Sequence, residues 1–215
     1  MPTLLLIALL KGIGVGIVIA LPVGPVGVLC VRRTLFEGPT YGFVSGLGAA
    51  TADTIFGIIA GFGLTIVRDF MLRYQDWFGT AGGLFLLYLG GRALMTPSDA
   101  EPEPLDGEAH FGAYASTFAL TITNPITILA FAAIFAKVGA TQEDGSLLYI
   151  AVLVAGVFLG SLIWWLGLSF GIAGLRRIAG TVRLTWLNRI SGFILVASGA
   201  ALLTVTLLAF AGIEV

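Results

Sequence analysis

Leu21-Pro-Val-Gly-Pro-Val-Gly27 interrupts an apolar run that extends from Leu4 to Val31. Proline has no N–H to donate, so Pro22 and Pro25 each leave a carbonyl of the preceding helical turn without its partner. The run as a whole is longer than the roughly 20 apolar residues that a bilayer helix needs. The stretch therefore predicts a membrane helix that is broken along its length.

Long apolar runs recur along the 215 residues and account for most of the chain. Hydrophobic residues make up 58% of the sequence and charged residues only 11%, against about 25% charged residues in a soluble domain. The runs lack the alternating pattern of barrel strands, so they favour helices. We expect an all-α integral membrane protein with six transmembrane helices, at Leu4–Val31, Tyr41–Val67, Phe78–Met95, Gly112–Ala136, Leu147–Phe170 and Ile190–Ala211.

The charge balance and the scarcity of reactive residues exclude several classes of function. The chain carries 11 Lys+Arg against 12 Asp+Glu, so it offers no basic surface for phosphates and no nucleic-acid partner is expected. One cysteine and one histidine cannot build a disulfide, a thiolate metal cage or a nucleophile–base pair. We therefore expect no metal ion, no cofactor and no enzymatic activity.

The segment between the third and fourth runs differs in composition from the other connections. Residues 97–111 contain five acidic residues and three prolines, which is typical of a solvated linker. The linker divides the chain into a first three-helix repeat at residues 1–96 and a second at residues 112–215.

The arginines indicate an orientation in the membrane. The first, third and fifth connections carry more basic residues than the others, so the positive-inside tendency predicts that they, and the acidic linker among them, are cytoplasmic. Both termini would then lie outside. The basic residues on these connections are Arg32, Arg33, Arg92, Arg176, Arg177, Arg183 and Arg189.

The two halves of the chain resemble each other in the order of their glycine, proline and aromatic positions. A repeat with three crossings must enter the membrane from the opposite side in its second copy, so the copies would be inverted, as in many secondary transporters. We therefore expect two inverted three-helix repeats in which the first and fourth helices are broken. The matching pairs include Pro25 with Pro125, Gly48 with Gly156, Phe56 with Trp164, and Trp77 with Trp186.

The two breaks supply candidate substrate-binding residues, Gly24 and Pro25 in the first and Thr121, Asn124 and Pro125 in the second. A half-helix that begins near Gly24 presents unpaired N–H groups and a positive dipole end to a carboxylate. Hydroxyl and amide side chains in mid-span are costly unless they pair or line a cavity. The alternatives are a kink satisfied by neighbouring helices and hydrogen bonds that join helices.

Asp53 is the most specific single candidate for a functional residue, because it is an acidic residue well inside the second predicted span. A carboxylate within the membrane indicates a functional role, either as a proton carrier or as the counter-ion of a substrate ammonium group. The repeat places Ser161 at the corresponding position of the second half. The alternative is a structural ion pair with Lys11 in the first span.

These motifs resemble those of the lysine exporter and homoserine/threonine resistance (LysE/RhtB) family of bacterial amino-acid exporters. The similar stretches are Val23-Gly-Pro-Val-Gly-Val-Leu-Cys-Val-Arg-Arg-Thr-Leu-Phe-Glu-Gly38, Ala52-Asp53, Leu120-Thr-Ile-Thr-Asn-Pro125 and Gly160-Ser-Leu-Ile-Trp164. The resemblance implies a small, multi-pass protein of the bacterial inner membrane that exports amino acids or related metabolites. It also implies coupling to the proton gradient and assembly as a homodimer.

The hypothesis from the sequence is an alternating-access exporter whose small-molecule substrate binds between the broken first and fourth helices. Asp53 would couple export to protons. Three alternatives stay open: a structural or assembly subunit of the membrane, an exporter of a solute other than an amino acid, and a membrane-embedded enzyme or electron relay, which the lack of catalytic residues disfavours. A metal-ion transporter would need more carboxylate, histidine or thiolate ligands than one span acid supplies.

Overall fold

A computed structural model describes residues 2–21, 24–62, 65–95, 107–124, 127, 130–131, 133–134, 147–179 and 184–211. Within these residues the chain forms helices and no strands, as the apolar runs predict. The helices are α1 (Pro2–Ala20), α2 (Pro25–Phe36), α3 (Pro39–Gly61), α4 (Thr65–Arg73), α5 (Gln75–Met95), α6 (Gly107–Ile122), α7 (Leu147–Ala179) and α8 (Leu184–Phe210).

Five of the described helices are long and apolar enough to cross a membrane, where the sequence predicted six spans. They are α1, α3, α5, the part of α7 from Leu147 to Gly174, and the part of α8 from Arg189 to Phe210. The predicted fourth span, Gly112–Ala136, is described only in part, and its helix α6 has 16 residues. That is shorter than the roughly 20 residues of a bilayer crossing.

The predicted first span is divided into two helices. Helix α1 ends at Ala20, although the Leu21 N–H still bonds the Ile17 carbonyl at 2.9 Å. Helix α2 begins at Pro25, and Gly24 before it has an extended backbone with φ −89° and ψ −167°. Proline suits the first position of a helix because the missing N–H would be unpaired there in any case. The break predicted from the prolines therefore separates α1 from α2, while Pro22 and Val23 lie outside the described residues.

The second predicted break follows α6, which ends at Ile122. Thr123 forms a turn, and the Asn124 N–H bonds the Thr121 carbonyl at 3.1 Å. Pro125 itself lies outside the described residues. Helix α6 begins at Gly107, so the last residues of the predicted linker 97–111 are helical, and residues 96–106 lie outside the described part.

Helix α1 packs extensively on α7, α3 packs on both α6 and α7, and α5 packs on α8. Glycines allow the first of these, since a Cβ added to Gly12 would lie 2.9 Å from the Cα of Gly156. The α5–α8 contact is as close, since a Cβ added to Gly199 would lie 2.8 Å from the carbonyl oxygen of Gly83. Small residues at such crossings let helices in a membrane approach backbone to backbone.

The short helix α2 lies against α3, α7 and α8. A tight turn at Gly38 joins it to α3, and the φ of Gly38 is +106°, a conformation that side chains with a Cβ rarely adopt. The N–H groups of Glu37 and Gly38 both bond the Arg33 carbonyl, at 2.8 and 3.0 Å. The turn therefore sends α3 back along α2, which places the end of α2 beside the start of α3.

Candidate functional site

Asp53 lies inside the protein at the contact between α3 and α7. Its side chain is 3% exposed, and the hydroxyl of Ser161 donates a hydrogen bond of 2.8 Å to its Oδ2 atom. Ser161 is itself fully buried. Ser161, which the predicted repeat matches with Asp53, is therefore its hydrogen-bond partner.

The alternative ion pair between Asp53 and Lys11 is wrong. Lys11 is exposed on α1, and the ion pair found among the described residues joins Arg32 to Glu37 instead. An exposed lysine on a membrane helix extends its ammonium group towards the polar interface. The buried carboxyl of Asp53 thus accepts a hydrogen bond from a neutral hydroxyl and is not paired with this cation.

Helix α1 closes one side of this pair. Gly16 lies against the backbone of α7 at Val157, and a Cβ added to it would lie 2.9 Å from the Ser161 nitrogen. The close approach excludes bulk solvent from the Ser161 side of the pair. This arrangement depends on a glycine at position 16.

The N-terminus of α2, with Gly24 and Pro25, is directed towards the level of Asp53. Arg33 bonds Ser45 of α3, and Cys30, one turn earlier on α2, packs with Ala49 and Ala50 farther along α3. Helices α2 and α3 therefore run in opposite directions. Continuing this pairing of α2 with α3 towards the start of α2 leads, on α3, towards Asp53.

The end of α6 lies at the same level. Gly48 contacts the backbone of α6 between Tyr114 and Phe118, and Gly57, farther along α3, faces Phe131 at 3.8 Å. Helix α3 and the chain from α6 onward thus run in the same direction. Asp53 lies between the two contacts on α3, and Thr121 lies between the same two contacts on the other side.

Thr121 and Asn124 have defined surroundings. The Thr121 side chain is buried at 4% exposure, and its hydroxyl bonds the Thr117 carbonyl at 2.9 Å. The Asn124 carbonyl accepts a hydrogen bond of 3.1 Å from the Thr127 N–H. Next to Thr121, Leu120 packs in one cluster with Val28 and Leu29 of α2, so the last part of α6 packs together with α2.

Arg33, which the sequence indicates only as one of the basic residues that predict the orientation in the membrane, is buried. It is 8% exposed, and its guanidinium donates four hydrogen bonds. Nη1 bonds the Ser45 hydroxyl at 2.9 Å, the Ala113 carbonyl at 2.9 Å and the Thr117 hydroxyl at 2.8 Å, and Nη2 bonds the Ser116 hydroxyl at 2.7 Å. Arg33 therefore ties α2 to both α3 and α6, on the α2–α3 turn side of Asp53.

Arg32 and Arg33 stand side by side in the sequence but have different environments. Arg32 keeps 14% of its side chain exposed, lies 3.9 Å from Glu37 and rests over the Phe36 ring. Burial raises the pKa of the Glu37 carboxyl above its ordinary value, against the opposing effect of Arg33 and Arg32. The signal for Arg33 in the sequence is its spacing of four from the buried Leu29, which places both on one helix face.

A surface groove of about 400 Å³ lies away from these residues. Its lining is apolar and comes from α1 and α7, including Ile17, Ile163, Trp164 and Leu168. It does not border Asp53. In this conformation the described residues around Asp53 are therefore packed rather than open.

A family model for LysE type translocators matches residues 17–206, which is most of the chain. The chain belongs to the LysE type translocator family. The expectation drawn from the motifs is confirmed. The matched region contains both breaks, Asp53, Arg33 and Ser161.

A relative of this translocator has a name that indicates transport. The chain is 27% identical over 199 residues to a protein of Bacillus subtilis (strain 168) named "Putative amino acid efflux protein YcgF", a match that covers 88% of this chain and 92% of the relative. No solved structure matches the chain. The family and the apolar helices together make this protein a multi-pass membrane transporter.

Proposed function

We propose that the protein exports amino acids or related small metabolites across the bacterial inner membrane by proton-coupled alternating access. The single observation that carries the proposal is the buried carboxyl of Asp53, which among the described residues has a neutral hydroxyl beside it and no cation. Membership of the LysE family and the efflux name of the relative support the direction and the class of solute.

The substrate carboxylate binds at the start of α2 in this proposal. Gly24 provides no side-chain cap, so the first N–H groups of α2 are not satisfied by a capping residue. Unpaired N–H groups at a helix N-terminus, together with the helix dipole, favour an anion. Thr121 and Asn124, with Pro125, would complete the site from the second half of the chain.

Two inverted repeats provide the alternating access. The supporting observation is a pair of matched contacts: Gly48 of α3 lies against α6 at Tyr114–Phe118, and Gly156 of α7 lies against α1 at Leu9–Ile13. The two glycines are 108 positions apart, and in each contact the glycine meets a carbonyl and the N–H four residues later. Equivalent packing of equivalent helices is expected of a two-fold repeat, whose halves rock against each other around a fixed site.

Asp53 couples transport to protons by changing its charge. Burial of a charged carboxylate without a cation is costly, so a change in its surroundings between two conformations shifts its proton occupancy. The Ser161 hydroxyl can donate to the carboxylate or accept from the carboxylic acid, so it serves both forms. In an exporter, Asp53 would take up a proton on the outer side and release it on the cytoplasmic side as substrate leaves.

The orientation and the assembly state belong to the same proposal. The α2–α3 turn and the connection before α6 face the cytoplasm, as the arginine distribution predicts, and both termini face outward. The apolar groove between α1 and α7 faces lipid or a second subunit of a homodimer.

An export assay that surveys all small solutes at once tests the proposal. Cells that express the wild type, Asp53→Asn or Asp69→Asn are loaded with mixed dipeptides, which raise internal amino-acid pools, and their media are compared by untargeted mass spectrometry. Asp69 lies exposed on α4, so its substitution makes the same chemical change away from the site. We expect an amino acid to accumulate with the wild type and Asp69→Asn, and not with Asp53→Asn.

Each other outcome has a defined meaning. No solute above the empty-vector level, with the protein present in the membrane, would contradict an exporter and favour the structural subunit. A solute of another class would replace amino acids as the substrate. Equal export by Asp53→Asn and the wild type would remove the proton role of Asp53.

A further inference from the structure

Three polar side chains lie on one face of α7. Ser161, Trp165 and Ser169 follow one another at intervals of four residues, so they are stacked about 6 Å apart along the helix. All three are buried, with exposures of 0%, 3% and 0%. The series begins at Ser161, which bonds Asp53, and proceeds towards the turn between α2 and α3.

Two of these side chains have a polar atom that lacks a partner. In the part of the chain that the structure describes, neither the Trp165 Nε1 nor the Ser169 Oγ atom is hydrogen-bonded, although both are shielded from solvent. A buried polar group without a partner is costly, and native proteins satisfy such groups with ordered water. Two such atoms on adjacent turns of one helix face therefore indicate a place for internal water.

Helix α3 faces this series with glycines. Gly46 lies against the Trp165 side chain, and a Cβ added to Gly42 would lie 3.0 Å from the Ser169 hydroxyl oxygen. The same Cβ would overlap the Thr34 hydroxyl, which bonds the Cys30 carbonyl at 2.9 Å. The hydroxyls of Ser169 and Thr34 thus border one glycine, and the absence of side chains at these two positions of α3 leaves the polar atoms of α2 and α7 adjacent.

The series ends near the surface at the α2–α3 turn. Thr34 belongs to the last turn of α2 and Gly42 to the first turns of α3. The ionisable groups at this end include Arg32, Arg33, Glu37 and Tyr41, with the His110 ring 4.8 Å from that of Tyr41 and Arg92 near enough to act on Glu37. Glu37 keeps 31% of its side chain exposed. Farther in, the Cys30 thiol is fully buried.

We propose that Ser161, Trp165, Ser169 and Thr34 form a water-holding polar file that carries protons between Asp53 and the α2–α3 turn. The proposal rests on the proton role of Asp53 in the proposed function. It adds the route that the proton takes, on the cytoplasmic side in the proposed orientation.

The proton is transferred by a relay along hydrogen bonds. On release, the Asp53 carboxylic acid gives its proton to the Ser161 oxygen or an adjacent water. The hydroxyls of Ser161, Ser169 and Thr34 and the waters between them each accept one proton and pass one onward, and one proton reaches bulk water at the turn. Asp53 is left as a carboxylate that accepts from Ser161. Ser169 and Thr34 can both donate and accept, whereas the Trp165 N–H only donates and so orders a water without carrying the proton.

Hydrogen–deuterium exchange of the Asp53 carboxyl tests the file directly. Full-length protein in lipid vesicles is transferred from H2O to D2O, and the infrared C=O stretch of protonated Asp53, identified by its loss in Asp53→Asn, is followed over time. Trp165→Phe and Ser169→Ala remove the two unpartnered atoms with little change of shape. Ser191→Ala is the matched control, because Ser191 is equally a buried serine but lies on α8.

We expect Trp165→Phe and Ser169→Ala each to slow the exchange of the Asp53 carboxyl by about tenfold, the effect of losing one hydrogen-bonded link. The control should exchange at the wild-type rate, and the amide bands of the same spectra report whether each variant keeps its helices. Unchanged exchange in both folded variants would overturn the file and leave the exporter standing. No Asp53 carboxyl band at any pH would overturn the proton role of Asp53 and the file with it.

Discussion

The Ser161 hydroxyl lies 2.8 Å from Asp53 Oδ2, and the two residues occupy positions 108 apart in the chain. That separation is also the one between Gly48 and Gly156, which make matching contacts with α6 and α1. In the proposed inverted repeat, a residue that contacts its own counterpart lies near the axis that relates the two copies. The proposal therefore places Asp53 where the two repeats meet.

Ser161→Ala should destabilise the protein, because it leaves the buried Asp53 carboxyl without its hydrogen-bond donor. We expect a loss of about 1–3 kcal/mol in the free energy of unfolding, the cost of an unsatisfied buried polar group. Thermal unfolding of the purified protein in detergent measures it, with Ser191→Ala as the control for removal of a buried serine hydroxyl. A loss no larger than that of the control would show that this hydrogen bond does not stabilise the fold.

Arg33→Gln should be far more harmful than Arg32→Gln. The first variant loses a guanidinium that joins α2 to α3 and α6 through four hydrogen bonds, whereas the second loses contacts that include the ion pair with Glu37 at 3.9 Å and the position over the Phe36 ring. We expect Arg33→Gln to cost about 3 kcal/mol and Arg32→Gln less than about 1 kcal/mol. Denaturation of the two variants side by side checks the difference, and equal losses would refute the joining role of Arg33.

Gly12→Ala and Gly14→Ala make the same change two residues apart on α1 with opposite expected results. A Cβ at position 12 would lie 2.9 Å from the Gly156 Cα and push α1 away from α7, whereas a Cβ at position 14 would meet nothing within 4 Å. We expect Gly12→Ala to cost about 1–3 kcal/mol and Gly14→Ala to stabilise by up to about 1 kcal/mol through helix propensity. The melting temperatures of the two variants test this prediction. A Gly12→Ala variant that melts at the wild-type temperature would contradict the close α1–α7 contact.

Gly38→Ala isolates the cost of a backbone conformation. The φ of Gly38 is +106°, and a Cβ there would contact nothing within 4 Å, so the penalty comes from the backbone alone. We expect a loss of about 1–3 kcal/mol. Gly112→Ala, equally open in space but on helix α6, should show no such loss in the same unfolding experiment. Similar behaviour of the two variants would mean that the α2–α3 turn readily adopts another conformation.

Glu37 should make stability depend on pH in a predictable direction. Burial raises its pKa in the folded protein above the ordinary value of 4.5, so the folded state holds the proton more tightly than the unfolded state does. The stabilisation is therefore complete below about pH 4.5 and is lost as the pH rises through the folded-state pKa. Melting curves of the wild type and Glu37→Gln across this range test it, since the difference between them should grow as the pH rises. A constant difference would contradict the raised pKa.

The apolar runs and the prolines were sufficient to predict the class of fold. Hydropathy and the missing N–H of proline are local properties, so the helices α3, α5, α7 and α8 and the end of α1 before Pro25 follow from the sequence, whichever helices lie beside them. The choice of Asp53 followed in the same way, because an acidic residue inside an apolar run is conspicuous wherever its partner lies.

The partners of each side chain, by contrast, were decided by the tertiary structure. The sequence offered Lys11 as a partner for Asp53, and the packing of α3 on α7 places Ser161 there instead. The spacing of Arg33 from Leu29 indicates a shared helix face but does not identify its acceptors. These come from two other helices and are Ser45, Ala113, Ser116 and Thr117.

The unpartnered atoms of Trp165 and Ser169 belong to the same category, since whether a polar atom has a partner depends on the helices packed around it. Composition and spacing determine which segments enter the membrane. Which helix faces meet depends on the close approach at Gly12, Gly42, Gly46 and Gly156, and that approach is a property of helix pairs that no single segment encodes.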